Sequence, residues 1–129
     1  MSSVFSKIIS GNIPCYKIAE NESFLAFLDI QPLVKGHTLI IPKNEIDYIF
    51  DLDDALLKEM IVFSKIVAAS IKAVIPCKRI GVSVIGLEVP HAHIHLVPLQ
   101  NMQDMNFSNP KLELSAEKMK AIQMEILGT

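Results

Sequence analysis

The chain of 129 residues is half hydrophobic and carries a formal net charge of -2 at pH 7. This length and composition fit one globular domain with a proper core and exclude a disordered chain. The weak charge argues against nucleic acid or a membrane surface as a partner; with no apolar run of about 18 residues and no amino-terminal signal, a cytoplasmic protein is expected.

The amino-terminal third is predicted to form a short helix, a hairpin and a third strand. Apolar residues at helical spacing predict the helix over residues 4–9, and Ser10-Gly11-Asn12 ends it. Apolar alternation over residues 15–20 and 23–28 predicts a β-hairpin. Residues 37–42 are predicted as the next strand.

Two polar residues stand at the ends of these predicted strands. Asp29 follows the hairpin, where a carboxylate can cap a turn or bind a ligand. His37 opens the third strand, and a single histidine at such a position is usually structural. A functional role for His37 would require that other histidines lie beside it.

The middle of the chain is predicted to form one long helix. Asp51 or Asp53 can cap it, apolar residues then recur every three or four positions, and Pro76 forbids its continuation. We expect this helix to pack on one face of the sheet.

The carboxy-terminal part is predicted to contain two strands and a final helix. Residues 79–85 and 89–98 predict the strands, and residues 86–88 a tight connection between them. Residues 100–110 are polar and predicted to be irregular. An amphipathic helix is predicted after Ser115, with an apolar face that could bury against this chain or against a second subunit.

Three of the four histidines, His91, His93 and His95, alternate along the last predicted strand. Residues at such spacing share one face of a strand. They could be a structural row, or part of a metal site; the outer pair would be roughly 13 Å apart, so a single ion would need His37 or a carboxylate as a further ligand. The interpretation we favour is a row along an anionic substrate, with one imidazole as nucleophile and its neighbours as proton donors.

These residues carry a family resemblance. Residues 91–97 match the His-φ-His-φ-His-φ-φ signature, with φ apolar, of the histidine triad (HIT) family of nucleotide hydrolases and transferases. Further stretches resemble its Hint branch, the nucleoside phosphoramidase group: residues 5–9 with 13–14, 26–32, and 36–37 with 40–43. The resemblance covers about residues 4–99, so we treat residues 1–129 as a single histidine triad domain with a carboxy-terminal extension, residues 100–129.

The resemblance implies an α+β fold, with an antiparallel β-meander of about five strands and one long helix, to which this chain adds its carboxy-terminal helix. It implies a homodimer whose two sheets join across the interface. It also implies a purine nucleotide substrate, AMP- or GMP-like. No cofactor or metal is expected, because imidazolium and backbone N–H groups meet the developing phosphoryl charge.

The resemblance further implies roles for individual residues. His93 would be the nucleophile at the α-phosphorus of a nucleoside 5′-monophosphate that carries an amine, ester or phosphate leaving group, and water would hydrolyse the nucleotidyl-histidine. His95 and His91 would support the phosphate and leaving group, His37 would support the row, and Asp29 would accept a hydrogen bond from the ribose. The implied base pocket and remaining nucleotide-binding residues are Val4, Phe5, Ile8, Phe27, Leu28, Ile30, Ser83, Glu88 and Val89.

The chain departs from the family pattern in two places. Ser83 and Glu88 stand where the family often has Asn and then a hydroxyl residue, so a carboxylate lies near the leaving group; as a hypothesis, Glu88 favours amine leaving groups. Ser3 and Ser6 occupy positions where some bacterial relatives carry a Cys-x-x-Cys zinc pair, so a structural zinc is not expected.

Three alternative functions remain open at this point. One is a nucleotide-binding or scaffold protein with little turnover. Another is a dinucleoside polyphosphate hydrolase, although that branch typically continues its triad into Pro-Arg and here Leu99 follows Pro98. The third is a metal-dependent enzyme that uses His91, His93 and His37.

Overall fold

A computed structural model describes residues 3–129, which form a five-stranded antiparallel sheet with three helices. The strands lie in the order β1-β2-β3-β5-β4, so β5 is inserted between β3 and β4. The strands are β1 Lys17–Glu20, β2 Phe24–Leu28, β3 Thr38–Pro42, β4 Arg79–Ser83 and β5 Ile94–Leu99; the helices are α1 Val4–Ile9, α2 Asp54–Val74 and α3 Ala116–Leu127. This architecture confirms the predicted α+β fold with its long helix and extra carboxy-terminal helix.

The helices begin at the residues whose side chains cap them. The Asp53 carboxylate accepts the Leu56 backbone N–H at 2.7 Å and starts α2, whereas Asp51 belongs to the preceding 3₁₀ turn Ile49–Asp51. Ser115 caps α3 in the same manner. Such caps satisfy backbone N–H groups that the first helical turn leaves without a partner.

Side-chain alternation divides the sheet into two faces. On β2, Phe24, Ala26 and Leu28 face the core beneath α2 and α3, which we call the helix face. Leu25 and Phe27 face the opposite side, where α1 packs. We call this second side the site face, because the histidines lie on it.

Helix α3 buries its apolar face within its own chain. Met119, Ile122 and Ile126 join the core of the helix face, and the Gln123 side-chain amide donates to the Lys17 carbonyl of β1 at 2.9 Å. This answers the question that the sequence left open about the surface beneath this helix.

The histidine strand is shorter than predicted, and this corrects the expectation of a strand over residues 89–98. Strand β5 starts at Ile94, where pairing with Ile40 begins. Before that point the backbone N–H of Ala92 donates to the Ile46 carbonyl, outside the sheet. The alternation is therefore real, but only His95 lies within the strand.

No helix within residues 3–129 is long and apolar enough to cross a membrane.

Candidate active site

The four histidines are brought together on the site face. His95 lies on β5 opposite Leu39 of β3, His91 and His93 lie in the segment leading into β5, and His37 directly precedes β3. All four are buried, with exposed fractions of 8% or less. Because buried imidazoles must be neutral or partnered, their hydrogen bonds decide what each ring can do.

His37 and His95 form a hydrogen-bonded pair whose tautomers follow from their partners. The Leu33 backbone N–H can only donate, so Nδ1 of His37 is the acceptor, at 3.0 Å. The proton of neutral His37 is therefore on Nε2, which donates to Nδ1 of His95 at 2.9 Å. Nε2 of His95 consequently carries a proton, and His95 is a donor on the side away from His37.

The turn before β3 fixes the position of His37. Gly36 has φ of 91°, in the left-handed region that favours glycine, and a Cβ there would lie 3.2 Å from side-chain atoms of Ile75 and Pro98. This explains in physical terms why a glycine precedes His37.

His93 has the opposite tautomer from His95. Its Nδ1 lies 2.7 Å from the His91 backbone carbonyl, which can only accept, so Nδ1 carries the proton. Nε2 is then left with a free lone pair. An imidazole with this tautomer has the chemistry of an oriented nucleophile.

The ring of His91 has both nitrogens engaged within the protein. Nε2 donates to the Pro42 carbonyl at 2.8 Å, and Nδ1 accepts from Oγ of Ser3 at 2.8 Å. Neither ring nitrogen of His91 is therefore free in this structure, and its predicted contact with a phosphate or leaving group stays a prediction. His91 anchors α1 to the row and holds His93 through its backbone carbonyl.

Burial keeps the supporting histidines neutral. Desolvation, with a smaller contribution from the charge of Lys111, lowers the pKa of His95 to about 3 and that of His37 to about 4. Oδ2 of Asp29 lies 3.7 Å from Nε2 of His37, so with a neutral ring this contact is not an ion pair at neutral pH. Burial raises the pKa of Asp29, whose Oδ1 accepts the Gln31 N–H at 2.9 Å.

These pKa values predict that the protein loses stability in mild acid. The unfolded chain binds protons at its histidines near pH 6.5, whereas folded His37 and His95 stay neutral to about pH 4 and 3, so the free energy of unfolding falls as pH drops below about 6.5. We expect a loss of about 2 kcal/mol from each ring between pH 7 and pH 5, measured by urea unfolding at both pH values. In His37→Gln the loss should be clearly smaller; an equal loss would contradict these assignments.

Apolar side chains form one wall of the site. Phe5 on α1 contacts His93 edge-on, with ring centroids 5.1 Å apart, and also contacts His91 and Phe27. Ile8 and Val89 pack against the same cluster, while Val4 and Ile30 are exposed nearby in the sequence. Leu28 is a correction: strand alternation places its side chain in the core of the helix face, so the side chain does not line the site.

The two residues that depart from the family pattern differ in position. Ser83 lies opposite His95 at the end of β4. Glu88 is exposed in the connection to the histidines, and its charge acts on Asp29.

Sequence reasoning missed two residues beside the row. The Phe107 ring lies 4.8 Å from that of His95 and 6.2 Å from that of His37, centroid to centroid. Lys111 donates to the Phe107 carbonyl at 2.7 Å. The local pattern of residues 100–110 is polar and irregular, so the only available signal was a lone aromatic residue within it.

The hydrogen bonds do not favour a metal at the histidines. Ligand atoms of Asp29, His37 and His95 lie within 4.8 Å of one another, but the His37–His95 hydrogen bond engages the nitrogens that face each other. The metal-dependent alternative with His91, His93 and His37 meets the same difficulty, because both nitrogens of His91 and of His37 have partners.

Known proteins resemble this chain along most of its length. The model of the HIT domain matches residues 10–102. The chain therefore belongs to the HIT family. This HIT protein is 35% identical to adenosine 5′-monophosphoramidase hnt1 of Schizosaccharomyces pombe, over 98% of this chain and 96% of that protein.

Solved structures of the HIT family share the fold. A HIT-like protein of Bartonella henselae involved in cell-cycle regulation has a TM-score of 0.84 and 25% identity, over 98% of this chain and 95% of that one. A zinc-bound histidine triad family protein of Mycobacterium smegmatis has a TM-score of 0.82 and 27% identity, over 99% and 95%.

The residues of this HIT protein do not fit a zinc at Ser3 and Ser6. Hydroxyls are poor zinc ligands compared with thiolates. Moreover, Oγ of Ser3 is bound to His91, and Oγ of Ser6 donates to the Glu45 carboxylate at 2.8 Å, which also accepts the Ser3 backbone N–H. Hydrogen bonds thus fasten the start of α1 here.

Proposed function

We propose that this HIT protein is a metal-independent nucleotide hydrolase that cleaves a nucleoside 5′-monophosphate, preferably AMP- or GMP-like, from an amine, and less readily from an ester or phosphate. The observation that carries this proposal is the pair of opposite tautomers: a free lone pair on Nε2 of His93 beside an N–H donor on Nε2 of His95. The likeness to a named adenosine 5′-monophosphoramidase supports the substrate class.

In the proposed reaction His93 attacks and His95 stabilises. Nε2 of His93 forms a bond to the α-phosphorus while the phosphorus–nitrogen bond of the substrate breaks, and the departing nitrogen takes a proton from solvent water so that it leaves as a neutral amine. The N–H of His95 donates to a phosphoryl oxygen as charge develops. Water then attacks the nucleotidyl-histidine, which releases the monophosphate and returns Nε2 of His93 to its free state.

The other side chains bind the nucleotide in this proposal. The apolar wall of Phe5, Ile8, Phe27 and Val89 suits a purine base, and the exposed side chains of Val4 and Ile30 are proposed to extend it. Asp29, whose second oxygen has no hydrogen bond within the described residues other than the long contact to His37, accepts from the ribose. No cofactor takes part.

The test is hydrolysis of adenosine 5′-phosphoramidate with excess chelator present. We expect turnover that is insensitive to the chelator, and a guanosine substrate should be cleaved as well. Loss of activity in chelator would point to a metal enzyme. Tight AMP binding without turnover would favour the binding or scaffold alternative, and faster cleavage of a dinucleoside polyphosphate would favour that hydrolase.

Glu88 is proposed to bias the enzyme toward leaving groups that depart as cationic amines. In Glu88→Ser we expect the ratio of amide to ester turnover to fall by about two- to fivefold, the size of an exposed charge interaction. Parallel kinetics on a phosphoramidate and a phosphate ester of AMP measure this ratio. Glu22→Ser, in the remote β1–β2 turn, is the matched control; an unchanged ratio in Glu88→Ser would remove the hypothesis.

We further propose that two chains associate through the free edge of β4. This edge and the nearby surface expose apolar side chains around a cavity of about 400 Å³ that reaches His93; among them are Tyr48, Phe50, Ile61, Val82 and Ile85. An exposed strand edge flanked by apolar surface is a ready surface for pairing. We expect Val82→Arg to be monomeric by light scattering while Leu127→Arg, at an exposed position of α3, stays dimeric. A monomeric wild type would contradict the proposal.

A further inference from the structure

The segment that follows β5 is built against the histidine pair, although it lies largely beyond the family match at residues 10–102. The edge of the Phe107 ring meets His95 at an interplanar angle of 69° and His37 at 76°. Edge-on aromatic contacts at these distances are attractive and exclude water. Phe107 therefore packs against the His37–His95 pair, whereas Phe5 packs against His91 and His93.

The loop that carries Phe107 is held by its own hydrogen bonds. The Asn106 side chain accepts the Ser108 N–H at 2.9 Å, and the Asn109 side chain donates to the Gln103 carbonyl at 2.7 Å. Further along, the Leu112 N–H donates to the Pro32 carbonyl at 2.8 Å, which ties the segment to the loop that carries Asp29. The position of Phe107 is thus set by the fold.

The start of the segment is fixed on the sheet. A Cβ at Gly81 of β4 would lie 2.7 Å from Cε of Met105 and 2.5 Å from Cδ1 of Leu99, so the missing side chain of Gly81 leaves room for Met105 on the site face. Met105 ends the 3₁₀ turn Met102–Met105, two residues before Phe107.

Lys111 adds a positive charge next to the same pair. Its Nζ donates to the Phe107 carbonyl and lies 5.8 Å from the centre of that ring. The other charged or titratable groups that act on the pair are Asp29, which faces His37, and His93, beside His95; Glu88 acts on Asp29. A cation in this position opposes protonation of either ring of the pair.

We propose that Phe107 and Lys111 are positioning residues that hold His37 and His95 in the neutral, hydrogen-bonded arrangement in which His95 presents its Nε2 proton to the substrate. The role of that proton rests on the proposed function, whereas the effect on the two rings does not. The extension beyond β5 thereby completes the active site within one chain.

The test compares four variants of the full chain. Phe107→Ala opens the cover, Phe107→Leu keeps an apolar cover without the aromatic edge, and Lys111→Met removes the charge at similar length. Met102→Ala, on the exposed 3₁₀ turn of the same segment, is the control. Ring ¹⁵N NMR from pH 3 to pH 8 reports protonation and tautomer of His95 and His37, and kcat and KM are measured over the same range.

We expect the titration midpoint of His95 to rise by about one pH unit or more in Phe107→Ala, by less in Phe107→Leu and Lys111→Met, and not at all in Met102→Ala. The acid limb of the kcat profile should shift to higher pH together with this midpoint. KM should change little, because Phe107 is not part of the apolar wall proposed to bind the base. A pH-independent loss of kcat with unaltered ring ¹⁵N signals would mean a merely structural role and would overturn the proposal. Variants in which neither the ring ¹⁵N signals nor the kinetic constants change would overturn it as well. If the variants show altered ring titrations but the wild-type protein turns over no nucleotide, this inference is upheld and the proposed function is refuted.

Discussion

Replacing His93 by alanine should abolish turnover of adenosine 5′-phosphoramidate, with kcat/KM reduced by about 10⁴-fold or more, the scale on which covalent enzymes lose rate with their nucleophile. The physical reason is that His93 holds the one imidazole lone pair of the row left free by the hydrogen bonds among the described residues. The measurement is steady-state hydrolysis with chelator present in all reactions.

Two controls keep this prediction specific. His93→Ala should still bind AMP, measured by calorimetry, because the substitution leaves Asp29 and the apolar wall proposed to bind the base unchanged. Its urea midpoint should show that it is folded. A folded variant that retains more than about one hundredth of wild-type kcat/KM would exclude His93 as the nucleophile.

Replacing His95 by leucine should give the second largest effect, a loss of about 10²- to 10³-fold in kcat, which is typical when one donor to a developing oxyanion is removed. His95→Gln is the matched variant, since its amide N–H can occupy a position near that of Nε2. We expect Gln to recover a substantial part of the loss, measured as kcat at pH 7.5. Equal losses in the two variants would indicate that the donor N–H is not what His95 contributes.

His37 is expected to affect turnover only through His95. His37 donates to Nδ1 of His95 and does not face the free side of the row. Its replacement should therefore lower kcat less than replacement of His95.

Much of the fold was predictable because local rules agreed with tertiary packing. The caps at Asp53 and Ser115 start α2 and α3 as predicted, since a short polar side chain that accepts backbone N–H groups is a local signal. The β1–β2 hairpin likewise follows from alternation about a turn.

The errors arose where partners distant in sequence decide the structure. Residues 89–93 have strand-like alternation, yet Ala92 bonds to Ile46 and His91 to Pro42, so these residues stay outside β5. Nothing in the local pattern contains that information. Leu28 directly follows Phe27, which lies on the site face. The two-residue period of β2 places the Leu28 side chain on the helix face instead.

The site was predicted as a set of residues but not as a hydrogen-bond network. The four histidines and Asp29 could be named from their spacing and family resemblance. Which nitrogen of each ring is free depends on the Leu33 N–H and on the His91 carbonyl, both backbone groups that no sequence pattern encodes. The contact of Phe107 with His95 could not be predicted for a related reason, because Phe107 lies in an irregular segment whose position no local pattern indicates.

The most direct test of the central claim is to look for the nucleotidyl-histidine itself. Enzyme and adenosine 5′-phosphoramidate are mixed with chelator, quenched within one turnover in alkaline denaturant, and mapped by peptide mass spectrometry. We expect an adenylyl group on His93 that is absent from His93→Ala and decays at the rate of AMP release. Rapid AMP formation with no adduct on His93, or an adduct that persists in His93→Ala, would contradict it.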